Sequence, residues 1–365
     1  MLIAGGGTGG HLTPALALAQ ALRDADPGGS VMVVGRRDGV AERLVTEAGL
    51  PLETLAISGV DASSPRSVAR ALTQLPLATL AARRLVRRLE PDVVVGAGGY
   101  VCVPVVMAAS AQHVPVVLLE QNAYPGRATR LLAKRAVCLA ASFAETARLL
   151  PGVRVVHTGN PIRAEVRALV PAPLGEACKH VLVTGGSQGA RRINNAVIGC
   201  IASLLQRNSD LRVTHQCGTL DWDVVRRAAA ALPDDVRSRY EAAPFFDDIG
   251  PRIAASDVVV MRAGGSSLAE CSALGRPMIL VPYPHAGGHQ RHNAVPYVRD
   301  GAAIMVDDAM CTPERLQVEV EALVRDTTRW RSMAEASARC GRPDAAQRVA
   351  ELVGDAARSR DGVAA

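Results

Sequence analysis

His11 closes the run "AGGGTGGH" at residues 4–11, which leads straight into "LTPALALAQALR", a stretch of helical period. An imidazole there could take a proton near neutral pH, since its ordinary pKa is about 6.5. Thr8, Gly9 and Gly10 ahead of it would leave small side chains and backbone N–H groups at a helix start, where anions and sugars bind. Gly5, Gly7 and Gly10 also fit the G-x-G-x-x-G spacing of a dinucleotide turn. That reading asks for an acidic residue at the end of the second strand to hold ribose hydroxyls, and "VVGRRDG" offers Arg36 and Arg37 instead. Two arginines could accept a 2′-phosphate, so an NADP-linked oxidoreductase stays open.

Three later motifs carry chemistry of their own. "GGSQG" at 185–189 matches the G-x-S-x-G of a nucleophile elbow, with Asp247 or Asp248 and His285 or His289 as later triad partners. The simpler reading is that Ser187 and the neighbouring amides cradle a phosphate at a helix start. "RAGGSSLAE" at 262–270 follows an apolar run and opens a second helix, so that the amides of Gly265, Ser266 and Ser267 would meet an anion. Glu270, one turn further, would accept from a diol, and together these describe a nucleoside diphosphate site. His285, His289 and His292 mimic a metal spacing, but glycines 287 and 288 interrupt the helix that would align them, and no carboxylate or cysteine lies near. No metal is expected. Asp221 and Asp223 in "TLDWDVV" read as helix N-terminal caps.

The elements that must position these residues are legible in the apolar patterning. Ten short Val/Ile/Leu-rich runs, at 1–4, 30–35, 92–98, 115–121, 136–140, 153–159, 180–186, 211–217, 257–265 and 277–283, alternate with helical stretches. Such alternation implies α/β architecture with parallel sheets and right-handed crossovers. Aromatics are only 3% of the 365 residues against 48% hydrophobic residues overall, as expected of strands buried on both faces by helices. Two strand-then-glycine turns half a chain apart imply two doubly wound domains facing across a cleft, with the hinge between about 160 and 178. The tail reads as helices near 330–340 and 343–354.

The eight cysteines never form C-x-x-C and read as buried, reduced thiols. Without an 18-residue apolar run or a signal pattern, the chain is expected to stay in the cytoplasm. The net charge of +6 is nearly all arginine, since Lys134 and Lys179 are the only lysines. It concentrates in "PRSVARALTQLPLATLAARRLVRRLE" at 65–90, where Arg66, Arg70, Arg83, Arg84 and Arg87 accompany Leu72, Leu75 and Leu80. Beyond an ordinary solvated helix face, this pattern suits an anionic bilayer surface. Nucleic acid is disfavoured, because no aromatics are interleaved to stack bases.

Taken together, "GGGTGGHLTPALALA", "GAGGYVCVPVVMAA", "EQNAYPG", "GNPIR", "GGSQGARRIN", "FFDDI", "RAGGSSLAE" and "HQRHNA" closely resemble, in order along the chain, the MurG family of N-acetylglucosaminyltransferases that convert lipid I into lipid II. The resemblance implies a GT-B fold. An N-terminal domain at 1–160 would bind the lipid acceptor, with the C-terminal helix at about 341–356 packing back on it, and a domain at 161–340 would bind UDP-GlcNAc. It further implies that Glu270 holds the ribose, that Arg163, Ser187 and the stretch Gly265, Ser266, Ser267, Leu268 and Ala269 surround the diphosphate, and that Phe246 stands at the uracil. Asn122 and Gln290 would meet the sugar, with Thr8, Gly9 and Gly10 near it and His11 as candidate base. No cofactor is implied. The enzyme would lie peripherally on the cytoplasmic face of the plasma or inner membrane, held more by charge than by aromatics, with room for partners in the elongation or division machinery. On this reading the opening loop serves a sugar diphosphate, and its dinucleotide spacing is coincidental.

Overall fold

A computed structural model describes residues 1–6, 9–36, 39–57, 65–186, 188–285 and 288–361, with backbone alone at 9, 39–40, 65–72 and 360–361. The chain divides into two compact units, Met1–Ala164 with Arg342–Ala365, and Glu165–Gly341.

The first unit holds a parallel sheet of β1 (Leu2–Ala4), β2 (Met32–Arg36), β3 (Leu52–Leu55), β4 (Val94–Gly96), β5 (Val116–Glu120), β6 (Cys138–Ala141) and β7 (Val155–His157), in the order β3-β2-β1-β4-β5-β6-β7. The chain runs outward from β1 to one edge, then returns beside β1 and runs to the other. Between β1 and β4 the loops therefore diverge to opposite faces and leave a crevice at the carboxyl ends of the strands. The helices are α1 (Gly9–Ala25), α2 (Gly39–Glu47), α3 (Pro65–Leu89), α4 (Cys102–Ser110) and α5 (Arg127–Leu132).

The second unit repeats the plan. Its strands β8 (His180–Thr184), β9 (Arg212–Gln216), β10 (Tyr240–Ala243), β11 (Val258–Met261), β12 (Met278–Leu280) and β13 (Ala303–Met305) pair in the order β10-β9-β8-β11-β12-β13, all parallel, with the switch between β8 and β11. Helices α6 (Ala164–Arg167), at the junction of the two units, α7 (Arg191–Arg207), α8 (Trp222–Ala230), α9 (Asp234–Arg237), α10 (Ile249–Ala255), α11 (Gly265–Ala273), α12 (His289–Arg299), α13 (Pro313–Arg325) and α14 (Thr327–Cys340) follow. The last helix, α15 (Ala345–Asp361), returns to the first unit, where Ala346, Val349, Ala350 and Val353 join the core that Leu12, Leu18 and Leu22 of α1 make with Ile3, Val33 and Val95.

The central strands are dry: β1, β4, β5, β6, β11 and β12 are buried at every residue. That is why their sequences read as unbroken apolar runs. The structure adds β3, β10 and β13, which the patterning missed. All three are edge strands with half-exposed residues, "LETL", "YEAA" and "AIM", so none carries a run buried on both sides.

Candidate functional site

In the first unit, the loops after β1 and β4 meet backbone to backbone at the switch point. Gly99 has φ +79°, and a Cβ built on it would lie 2.1 Å from the carbonyl oxygen of Gly6. Gly98, at φ +102°, lies so close under the His11 ring that a Cβ would stand 2.6 Å from its Cδ2. His11 is half-buried in the first turn of α1, with Gly9 and Gly10 at the helix start. Thr8 lies outside the described residues.

Beside this loop, the end of β5 is built from polar residues. Glu120, 3% exposed, accepts from Asn122 N (3.0 Å), Asn122 Nδ2 (3.1 Å) and Gly126 N (2.9 Å), which fixes the 121–126 turn and the Asn122 amide with it. Buried Gln121 donates to the carbonyl of Ala97 at 2.9 Å, tying that turn to the glycine loop after β4. Arg163 is half-buried in the segment between β7 and α6 and belongs to the first unit.

In the second unit, the glycine loop after β8 is anchored by a chain of side-chain bonds across three strand ends. Thr184 Oγ1 accepts from Gly186 N (3.1 Å) and from Gln216 Nε2 (3.3 Å), and Gln216 Oε1 accepts from Phe246 N (3.0 Å). The Arg252 guanidinium stacks on the Phe246 ring, 3.7 Å from its centroid, while pairing with Glu241 and Asp248. Ser187 lies outside the described residues.

On the other side of the switch, α11 starts directly after Gly264, which no side chain caps. Gly265, Ser266 and Ser267 are its first three residues, so their N–H groups have no intrahelical acceptor. Leu268 is buried and Ala269 half-buried behind them, and Glu270 is 6% exposed. From α12, Gln290 Oε1 accepts from Ala263 N (3.1 Å) and Tyr283 N (2.9 Å), and Asn293 Nδ2 donates to Ala263 O (3.2 Å). With its oxygen committed to two backbone amides, Gln290 can offer a ligand only its Nε2 hydrogens. His289 begins α12 after Gly288 at φ +72°, while His285 lies in the coil before it. Among the described residues no three His, Cys, Asp or Glu side chains gather as a metal site.

Asp221 differs from its expected role. It stands at the N-cap of α8 without a side-chain cap bond, because its carboxylate instead takes Arg191 Nε (3.0 Å) and Asn194 Nδ2 (2.9 Å). The cysteines are free thiols, and burial pushes Cys102, Cys178 and Cys200 up to about 12, which removes them as nucleophiles at neutral pH.

The residues that sequence reading passed over, Glu120, Thr184 and Gln216, share one signal. Each is the last residue of a parallel strand, "VVLLE", "HVLVT" and "RVTHQ". A polar side chain closing such a strand points at the crevice where ligands of these folds bind.

On the basic helix, Leu75 packs against the first unit's core rather than outward, and Leu77, not singled out beforehand, is 71% exposed. Leu80 (46%) and Arg83, Arg84 and Arg87 are exposed, while Arg66, Arg70 and Leu72 lie where only the backbone is described. The correction follows from helical phase, since Leu75 shares its face with Ala78, Ala82 and Leu85, all buried.

Residues 1–140 match the glycosyltransferase family 28 N-terminal domain, and residues 180–349 match the glycosyltransferase family 28 C-terminal domain. A "UDP-N-acetylglucosamine--N-acetylmuramyl-(pentapeptide) pyrophosphoryl-undecaprenol N-acetylglucosamine transferase" of Halothermothrix orenii is 37% identical over 98% of this chain and 99% of its own length. A protein of the same name from Anaeromyxobacter sp. is 38% identical, over 99% of this chain and 94% of its own. Among solved structures, MurG of Acinetobacter baumannii superposes with a TM-score of 0.75 at 28% identity, covering 97% of this chain and 99% of that one. A putative UDP-N-acetylglucosamine 2-epimerase of Listeria monocytogenes reaches a TM-score of 0.69 at 16% identity, with 95% and 94% covered. That second likeness shows the fold alone, which hosts more than one reaction.

Proposed function

This chain belongs to the MurG family of GT-B glycosyltransferases, and on that premise we propose that it moves N-acetylglucosamine from UDP-GlcNAc to the 4-hydroxyl of the muramyl sugar of lipid I, making the β-1,4 link of lipid II. The observation that carries the reading is the identity of 37% held across 98% of the chain and 99% of a transferase of that name.

The reaction is a single displacement with inversion. The acceptor oxygen forms a bond to the anomeric carbon as the bond to the UDP oxygen breaks, and the hydroxyl proton passes to a base. His11 is the base in this reading, since it stands in the first turn of α1 with its ring held against Gly98. An imidazole suits proton removal at neutral pH. The leaving diphosphate gathers negative charge, which the N–H groups of Gly265, Ser266 and Ser267 at the start of α11 and the guanidinium of Arg163 stabilise. Glu270 takes the ribose, Phe246 borders the uracil, and Gln290 Nε2 and Asn122 meet the sugar. Thr8, Gly9, Gly10 and Ser187 complete the set.

The acceptor is a lipid, so the enzyme must work at a bilayer surface. No helix among the described residues is long and apolar enough to cross one. Exposed Leu77 and Leu80 with Arg83, Arg84 and Arg87 on α3, and exposed Leu131 with Arg127, Arg130, Lys134 and Arg135 on and after α5, support peripheral attachment. Both helices pack against α4.

The test is transfer of labelled sugar from UDP-GlcNAc to a short-chain lipid I analogue. His11→Ala should lower kcat by about 10²- to 10⁴-fold with donor KM held, whereas Glu270→Gln should raise donor KM. Intact donor binding without transfer would move the reading to another acceptor.

A further inference from the structure

Phe246 stands in the loop between β10 and α10 and is 8% exposed, yet among the described residues it is not part of the second unit's hydrophobic core. Its ring carries a cation instead. The Arg252 guanidinium lies 3.7 Å from the ring centroid, well inside the roughly 6 Å within which a cation is drawn to an aromatic face. Arg252 comes from α10 and has 23% of its side chain exposed.

That guanidinium is not free to turn. Its Nε donates to Asp248 Oδ1 at 2.8 Å and a terminal nitrogen donates to Glu241 Oε2 at 2.7 Å, so two carboxylates fix the plane of the fork. Glu241 belongs to the edge strand β10, and Asp248 is the N-cap residue of α10. Both carboxylates are more than half exposed, and pairs so exposed contribute little to stability by themselves. Their consequence is geometric, since one side chain joins β10, the Phe246 ring and the start of α10. From the other side, Gln216 Oε1 takes the Phe246 amide at 3.0 Å. Phe246 is thus held by its backbone from β9 and by its ring from α10, all within the second unit.

We propose that Arg252 is a positioning residue for the donor nucleobase, holding the Phe246 ring and the 244–248 loop as a fixed wall that admits uracil and resists a larger purine. The proposal rests on the transferase reading, in which Phe246 borders the uracil. A wall that cannot retreat discriminates by size, because a bulkier base must displace it, whereas a loosened loop yields to either base. Arg252 acts through Phe246 and has no part in the chemical step. Lysine is a poor substitute, because its ammonium is a compact point charge without the planar fork that stacks on a ring.

Titration calorimetry of UDP and of ADP with the full chain tests this without the acceptor. The wild type should bind UDP much more tightly than ADP. Arg252→Ala should weaken UDP binding about tenfold and change ADP binding by less than about twofold, so that the preference narrows. In a Phe246→Leu background the same change should cost less than about twofold, because the ring through which Arg252 acts is gone. Arg252→Lys, which keeps the charge, should follow Arg252→Ala, and it carries the test where the alanine variant folds poorly. In the transfer assay donor KM should rise with kcat held. An unchanged preference in Arg252→Ala, an equal loss for both nucleotides, a full effect in the Phe246→Leu background, or wild-type binding by Arg252→Lys overturns the proposal and leaves Arg252 a surface ion pair only. If the wild type itself binds UDP no better than ADP, the nucleotide reading of this loop falls first and takes the proposal with it.

Discussion

Gln216, the last residue of β9, accepts the backbone amide of Phe246 at 3.0 Å on one side and donates to Thr184 Oγ1 at 3.3 Å on the other. One buried amide thereby sets the spacing between the loop after β10 and the glycine loop after β8. Gln216→Leu leaves the Phe246 N–H without this acceptor, at a cost of about 1–3 kcal/mol in stability. Donor KM should rise several-fold with kcat for bound substrate nearly held. Thr184→Val should act on the same loop, so the double variant should lose less than the sum of the two, as a double-mutant cycle on donor binding will read. Strict additivity would mean that the two side chains work separately.

His215 makes the second unit sensitive to acid. Asn194 Nδ2 donates to Cys217 O and Asp221 Oδ2, so its Oδ1 faces His215 Nε2 at 3.0 Å, and that nitrogen must carry the proton. Nδ1 then accepts from the Tyr240 hydroxyl at 2.8 Å, and the ring is neutral with both nitrogens satisfied. Burial holds its pKa down at about 4. Because the unfolded chain binds this proton near pH 6.5 and the folded chain does not, stability is full above about 6.5 and falls as the pH drops toward 4, by about 3 kcal/mol in all. Denaturant unfolding of the wild type against His215→Gln should show the difference between them narrowing over that window. A difference constant with pH would mean that the ring titrates normally in the fold.

The two glycines after β4 should fail in different ways. Gly99→Ala combines φ +79° with a Cβ 2.1 Å from a backbone oxygen that cannot step aside, so the first unit should lose at least about 2 kcal/mol in unfolding experiments. Gly98→Ala meets the His11 ring, which can turn away. It should lower kcat at least tenfold while donor KM stays, a split visible in initial-rate kinetics.

Attachment to anionic vesicles should depend on Leu77 and Leu80 as well as on charge. Leu77→Glu/Leu80→Glu should weaken co-sedimentation about tenfold or more, and raising the salt should release the wild type. Unchanged binding of that variant would locate the contact on another face.

The chemistry-bearing loops were legible because each follows an apolar strand and opens a helix, so glycine, serine and the first helical residues announce themselves locally. Ten strands were readable for a related reason, since residues buried on both faces of a parallel sheet must be apolar in succession. Edge strands β3, β10 and β13 were not, because one exposed side relaxes that demand. Nor could periodicity alone tell that Leu75 turns inward and Leu77 outward, as the phase of α3 is set by its packing on α4. The sequence by itself therefore determined the two doubly wound folds and the loops that bear their chemistry, through local patterns of burial. Only the tertiary structure decided which polar strand ends meet, that Asp221 holds Arg191 and Asn194 instead of capping its helix, and that Arg262 pairs with Asp308. Those groupings join residues far apart along the chain, Arg262 and Asp308 by 46 positions among them, and they are set by strand order and register, which no local pattern encodes.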